Sequence, residues 1–530
     1  MTFRNLALQF PLLFFGLMLL ATSAVRAIAG DRLVPSRTLW KWFGLTVVAV
    51  LLAIAGAYLI WPVLPWGFSA VGPATGAVAA RGLPVYPELD AAQRYGMLYG
   101  PLAYLKFVPF YAVFGRSLTS AKLTGVLALL ITLSAAYYVG RRYARREEAI
   151  LGLGAGALAL LFFHFSSFDA TTDPSLVAST AAGVVGALHH RRAVAVSTLG
   201  VIAGVVPNLK LTAACAVLPL AVLVWMRYGW RSVAAAAPLG GVVFFLPFLL
   251  PNVSLANYID LLSLVAREGV TLDAVSRNLQ WASLLLLPVL VVRPTGRPAE
   301  PMASVYVLSI AIALVIAAVT GGKIGSGNWH LMPLLPFVIH AFFWRRALLP
   351  GEARPAAERR IATLAAPFAL TLLAFILFAG GGTVSQVRRE FGLVPRHSRT
   401  IAELRDIARR YGDGTIEIGY GERLDEATLF RALLVLDGHP HTVDRFALEE
   451  YQLVGVGIPE ATLQYLEACE TRTWLIPSGQ KPFLEPSRLF VNFYHQSRPV
   501  FPERFRDLFS RRYRLVERGD LFDVWSCTHE

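Results

Sequence analysis

The residues in this chain whose types and spacing could do chemistry are acids and bases placed at the ends of apolar runs. In "FSSFDATTDPSL", Asp169 and Asp173 share one short polar turn. An ionisable group beside a membrane span is costly unless it meets water, a partner or a ligand. Asp173 precedes Pro174, the grammar of a helix start, so capping stands beside chemistry for it, whereas Asp169 has no such local duty. "GLPVYPELDAAQRYGMLYGPL" adds Glu88 and Asp90, the only acids between residues 64 and 118, with Arg81 and Arg94 flanking them. A carboxylate there either keeps a loop solvated or takes the proton from an acceptor hydroxyl, as a general base does.

The complementary bases lie elsewhere. In "GGKIGSGNWHLMPLLP", Gly321–Pro336, glycines free backbone N–H groups to turn toward a ligand and Lys323 adds positive charge. A helix starting at His330 would place its positive end at an anion, so the stretch reads as a phosphate seat. The plainer alternative is a solvated lysine and a packed histidine. Lys210, in "PNLKLT", either meets the same phosphate or snorkels to the interface. Asp169, Asp173, Glu88 and Asp90 could gather Mg²⁺ or Mn²⁺ through oxygens, yet no Cys/His cluster or ligand spacing points to a dedicated metal site. "DGHPHTVD" (Asp437, His439, His441, Asp444) has metal-ligand residue types, but a turn uses the same ones.

What positions these groups is a membrane-embedded framework. Of 530 residues, 55% are hydrophobic and 16% charged, and mean hydropathy is +0.53, which excludes an ordinary soluble domain. The net charge of +14 sits in short connections between apolar runs, so it records topology and implies no nucleic acid. A ruler of about 20 apolar residues marks twelve spans. They lie near 6–26, 41–63, 119–140, 148–166, 174–190, 193–207, 211–226, 232–250, 279–293, 303–320, 330–345 and 361–381. Basic connections such as Arg141 to Arg146, Arg191–Arg192, Arg293–Arg297 and Arg345–Arg346 alternate with the others and mark the cytoplasmic side. The alternation requires that 97–115, with Pro101, Lys106 and Pro109, form an interfacial helix pair instead of a crossing. Arg4 and the apolar run up to Ala27 imitate a secretory signal, but the basic segment and second span that follow favour a retained helix.

The expected fold is therefore a polytopic α-helical membrane protein. Residues 1–381 form the transmembrane domain, with 64–118 as its first long outward loop, and 382–530 form a soluble α/β domain on the same outward side. In that tail "GTIEIGYG", "RALLVLDG", "TRTWLIPSG" and "YRLVERGDLFDVWSC" read as strands, and "TIAELRDIARRYG" and "EATLQYLEACE" as helices. Cys469 and Cys527 lie in the tail and could bridge if it is extracytoplasmic; otherwise they and Cys215 are three free thiols.

The order of features resembles the polyprenyl-phosphate-sugar-dependent glycosyltransferases of the GT-C superfamily, which include protein O-mannosyltransferases and aminoarabinose transferases of lipid A. The resemblance is carried by "GLPVY", Tyr99-Gly100-Pro101-Leu102 within "YGPLAYLKFVPFYAVFGRSLTSAKL", the short acidic turn, and the stretch from His330 to Pro336. It implies a GT-C-like core with interfacial helices in the first periplasmic loop, a lipid-linked sugar donor, and inversion at the sugar carbon. Carried over, Glu88, Asp90, Asp169 and Asp173 compete for the base, and Lys323, His330, Lys210 and Arg81 for the donor phosphate. One departure counts against catalysis: such enzymes usually place an acid soon after the first core span, and Trp66 to Ala80 contains none.

The leading expectation is a bacterial inner-membrane glycosyltransferase moving a sugar from a polyprenyl-phosphate carrier to a periplasmic glycan, lipid or protein. A transporter or flippase of lipid-linked saccharide is the first rival, although related halves with broken helices are not evident. A non-catalytic relative that binds a glycan lipid within an envelope complex is the second.

Overall fold

The computed structural model describes residues 10–29, 37–65, 67–96, 99–292, 300–350, 352–378, 383–412, 414–423 and 428–528. Arg4, Arg293 and Arg297, the first four residues of the first expected span and the last three of the twelfth lie outside them. The chain is a polytopic α-helical membrane protein. Among the described residues, eight helices are long and apolar enough to cross a membrane, from Thr38–Ile60 to Pro355–Leu377. Helices Pro11–Ala29, Arg146–Phe162, Asp173–Ala187 and Leu335–Ala347 occupy the other four expected positions.

Helix Leu118–Tyr143 shows how sequence sets an element's ends. Ser117 is its N-cap and accepts from the Ser120 N–H, while Arg141 and Arg142 in the last turn complement the macrodipole. The next helix, Arg146–Phe162, returns antiparallel, with Glu147 and Glu148 in its first turn. Arg346, at the end of helix Leu335–Ala347, pairs with Glu148 at 2.6 Å and Glu358 at 3.1 Å. The basic turns at 141–146 and 345–358 therefore share one end of the bundle.

Residues 102–114 form two short helices, Leu102–Leu105 and Phe107–Phe114, joined at Lys106. At ~1.5 Å per residue, eight residues reach about 12 Å, too short to cross. Helix Val71–Ala80 precedes them, nearly all of it buried.

The tail carries a mixed four-stranded sheet in the order β1-β2-β4-β3, from β1 (Ile416–Ile418), β2 (Thr473–Pro477), β3 (Tyr513–Arg518) and β4 (Phe522–Cys527). β1 runs parallel to β2; β4 is antiparallel to both β2 and β3. All five β2 residues are buried because both sheet faces are covered. Helix Thr383–Arg410 lays Ile401, Leu404 and Ile407 on one face, while Phe483, Phe501, Phe505 and Phe509 fill the other.

Two expectations for the tail change. "RALLVLDG" is not a strand but lies mostly in helix Thr428–Leu436. Leucine and alanine outnumber the single β-branched Val435, and Ala432, Val435 and Leu436 share the hydrophobic cluster of Ala74 and Ala77 from helix Val71–Ala80. The alternative of three free thiols also falls: Cys469 and Cys527 are disulfide-bonded, with Cα atoms 6.0 Å apart, and Cys215 is free.

The tail also interlocks with the first long loop. Arg94 N–H donates to Thr442 O and Asp444 N–H to Arg94 O, both at 2.6 Å, and Thr462 Oγ1 donates to Ala92 O. Tyr86, Tyr104 and Tyr258 share a core cluster with Ala447 and Tyr451 of the tail.

Candidate functional site

Four segments bring the site together. Tyr99-Gly100-Pro101-Leu102 is pressed against the end of helix Arg192–Leu209, where the Leu102 N–H donates to Asn208 Oδ1 at 3.2 Å. A Cβ on Gly100 would overlap the Asn208 carbonyl, so only glycine allows this approach. The consequence falls on the next residue of that helix end: Lys210 Nζ sits 5.2 Å from the Tyr99 ring centroid. It also lies 3.4 Å from Asp173 Oδ1, and both side chains are 9% exposed.

Asp173 is the first residue of helix Asp173–Ala187, and its carboxylate pairs with Lys210. Asp169, four residues earlier, is fully buried. Tyr58 Oη donates to its Oδ1 at 2.5 Å, Ser69 Oγ donates to Oδ2, and the Ala170 N–H donates to Oδ1. Burial pushes its carboxyl up, and the bonds from Ser69 and Tyr58 oppose that shift. Helix Leu118–Tyr143 passes so closely that a Cβ on Gly125 would overlap the Asp169 and Phe168 carbonyls. Asp169 thus braces the acidic turn, with Ser69 supplying one of its donors from the acid-free stretch 66–80.

The glycine loop closes the other side. It pairs with the 269–271 segment through Thr271 N–H to Gly322 O and Ile324 N–H to Gly269 O. Lys323 Nζ donates to Val265 O at 2.7 Å and lies 3.3 Å from Glu268 Oε2. Beyond the loop, Asn328–Leu334 is a 3₁₀ segment and the α-helix begins only at Leu335, so no α-helix starts at His330 as the sequence reading expected. Lys210 and Lys323 are both near enough to act on the His330 ring. The tail supplies Glu450, whose carboxyl burial pushes well up, with Glu268 raising it further and Lys323 opposing. Glu450, Glu268 and Asp173 all act on the Tyr99 phenol.

Asp173, Lys210, His330 and Lys323 thus gather with Tyr99, Glu268 and Glu450 at the bundle end opposite the Arg346–Glu148 pair. Arg81 and Glu88 stand apart from them, lining a different cavity of about 590 Å³, and Asp90 is an exposed loop residue. Among the described residues no three His, Cys, Asp or Glu side chains are placed to hold a metal ion, and the four carboxylates named from the sequence do not converge. "DGHPHTVD" is a turn and cap: Asp444 accepts from the Phe446 and Ala447 N–H groups, and His441 stacks on Tyr95 at 4.9 Å.

Sequence reasoning missed Glu268 and Glu450. Glu268 had a signal, being one of three acids in the long connection 251–278. Glu450, within "ALEEYQL", had none, because only tertiary docking brings the tail to the bundle end.

No curated protein matches the sequence. Two crystal structures of ArnT from Cupriavidus metallidurans are similar, one bound to undecaprenyl phosphate and one in the apo state. Each is 14% identical, covers 90% of this chain and 97% of its own, and gives a TM-score of 0.45 and 0.48 respectively. Residues 100–255 match the family described as dolichyl-phosphate-mannose-protein mannosyltransferase, a stretch holding Gly100, Asp169, Asp173 and Lys210. Through that stretch the chain resembles the GT-C glycosyltransferases to which its sequence features point.

Proposed function

We propose that this protein is a membrane glycosyltransferase that moves a sugar from a polyprenyl-phosphate donor to a glycan, lipid or protein acceptor. The observation that carries this reading is the Asp173–Lys210 pair against the Tyr99 ring, with His330 in the electrostatic reach of Lys210 and Lys323. The mannosyltransferase-family match over residues 100–255 supports the same chemistry. Of the four candidate carboxylates, Asp173 is the one paired with Lys210, whereas both oxygens of Asp169 are already held by Tyr58 and Ser69.

In this mechanism the Asp173 carboxylate takes the proton of the acceptor hydroxyl. The freed oxygen lone pair forms the new bond to the anomeric carbon while the bond from that carbon to the phosphate oxygen breaks, inverting the centre. The electron pair leaves on the lipid phosphate, and Lys210, Lys323 and His330 stabilise the added charge. Residues 382–530 act as a periplasmic domain that closes the site, contributing Glu450 beside Glu268. The location is a bacterial inner membrane, with the Arg346–Glu148 end in the cytoplasm.

The test is transfer from a radiolabelled undecaprenyl-phosphate sugar to membrane extract by purified protein. Wild type transfers, Asp173→Asn loses at least about 100-fold, and Lys323→Ala weakens donor binding. Full activity in Asp173→Asn removes the base assignment. A wild type that binds donor yet transfers nothing supports the non-catalytic glycan-lipid-binding reading, which the acid-free stretch Trp66–Ala80 favours.

A further inference from the structure

The cavity of about 590 Å³ that Arg81 lines is separate from the Asp173–Lys210 site. It is assembled from three distant segments: the first long loop, the connection at 251–257, and the tail turn at 438–442 with Tyr465. Its volume falls in the range that holds a small ligand. Arg81 Nη1 donates to Gly438 O at 2.5 Å and His439 O at 3.3 Å, but its Nε and Nη2 have no partner. His441 is 4% exposed, and neither of its ring nitrogens has a partner. A half-buried guanidinium with two unused N–H directions is the group that grips a carboxylate or phosphate through paired oxygens. Buried polar groups left without partners mark where a ligand or ordered water completes the bonding, and Arg81 and His441 bring four such nitrogens to one cavity.

The surrounding chemistry fits a sugar. Tyr95 and His441 stack on each other at 4.9 Å, and Tyr86 and Tyr465 complete the aromatic part of the lining. Asn252 holds the wall by donating to Ala79 O and Leu83 O, and Asn257 by donating to Tyr86 O, which leaves their amide oxygens for hydroxyl donors. Glu88 also lines the cavity, but it is exposed and faces water. Arg116 acts on Arg81 and Arg431 on His441, while buried Glu417, which accepts from the Thr442 N–H and Oγ1, offsets part of that charge behind the wall.

We infer that this cavity binds a saccharide bearing a carboxylate or a phosphate, gripped by Arg81 and His441. Its role as the acceptor subsite rests on the transferase reading; binding itself does not.

The experiment is saturation-transfer NMR on the full chain in nanodiscs. The probes are methyl glucuronide and glucose 1-phosphate, with methyl glucoside as the neutral control and inorganic phosphate as competitor. Both charged sugars are expected to bind, the glucoside about tenfold more weakly, and the tighter of the two identifies the anion. Ala91→Trp fills the cavity without removing a polar group and should abolish the signal, while Arg81→Gln should weaken it about tenfold. Thermal unfolding of each variant in the nanodiscs reports on its fold; should Ala91→Trp unfold, Arg81→Gln decides. Equal binding of the neutral glucoside, retention of charged-sugar binding in a folded Ala91→Trp, or inorganic phosphate binding as tightly as glucose 1-phosphate each overturns the proposal. Charged-sugar binding without any transfer from donor overturns the transferase reading and leaves the site standing.

Discussion

Lys210 Nζ lies 3.4 Å from Asp173 Oδ1 and 5.2 Å from the Tyr99 ring centroid, so one ammonium ties together a helix start, a helix end and the Tyr99-Gly100-Pro101-Leu102 segment. With both side chains 9% exposed, neither partner can turn to bulk water if the other is lost. Lys210→Met therefore leaves a buried carboxylate without its ion-pair partner and should cost about 3 kcal/mol of stability. Asp173→Asn combined with Lys210→Met should recover much of that loss. Thermal unfolding of the single and double variants checks this, and strict additivity within about 0.5 kcal/mol would mean the two groups do not interact.

Gly100 is required for a reason that differs from that of most glycines here. A side-chain carbon at this position would occupy the space of the Asn208 carbonyl, whereas one at Gly56 meets nothing within 4 Å. Gly100→Ala must push Tyr99 and Lys210 apart, costing about 1 to 3 kcal/mol and weakening donor binding. Gly56→Ala should leave both unchanged, with a small gain in helix propensity. Parallel unfolding and donor-binding curves for the two variants provide the comparison.

Why Gly100 was visible in the sequence and Glu450 was not shows what is legible. Long apolar runs bounded by arginines can only be satisfied as membrane helices, so the spans and the shared end of Asp173, Lys210, His330 and Lys323 follow from composition and alternation. The motif at Tyr99 to Leu102 carries Gly and Pro, which restrict backbone geometry locally. Glu268 and Glu450 meet only because a tail more than 170 residues downstream docks on the loop, and no local pattern encodes that. The same holds for helix Thr428–Leu436, whose Val and Leu run matches a strand until its buried face is seen against Ala74 and Ala77. The paired oxygens of Asp169 were hidden too, since Tyr58 and Ser69 lie about a hundred residues away from it.

The Cys469–Cys527 bridge closes a loop of 58 residues that contains β2, one of the two inner strands of the sheet. It links the turn after helix Glu460–Glu467 to the end of β4, so it restrains the tail's unfolded chain more than its folded one. Replacing both cysteines by serine should lower stability by about 2 to 4 kcal/mol. The loss should appear in the tail, with hydrogen exchange rising at residues 460–527 while the spans stay protected. A uniform change across the chain would contradict this localisation.

Lys106 joins the interfacial helix pair to the acidic turn, its Nζ donating to Thr171 O and lying 3.4 Å from Ser175 Oγ. Burial lowers its pKa to about 7, with Asp173 and Asp169 opposing the shift. In the unfolded chain the lysine keeps its ordinary value of about 10.4. Between these values the unfolded state holds the extra proton, so stability must rise as pH increases from about 7 toward 10, and the contribution vanishes below 7, where both states are protonated. The slope from this one group is at most about 1.4 kcal/mol per pH unit. Lys106→Met removes the titration while keeping the stem, so its unfolding midpoint should change less between pH 7 and 9.5 than that of wild type. Identical pH profiles for the two proteins would place Lys106 in water and detach the interfacial pair from the turn that carries Asp173.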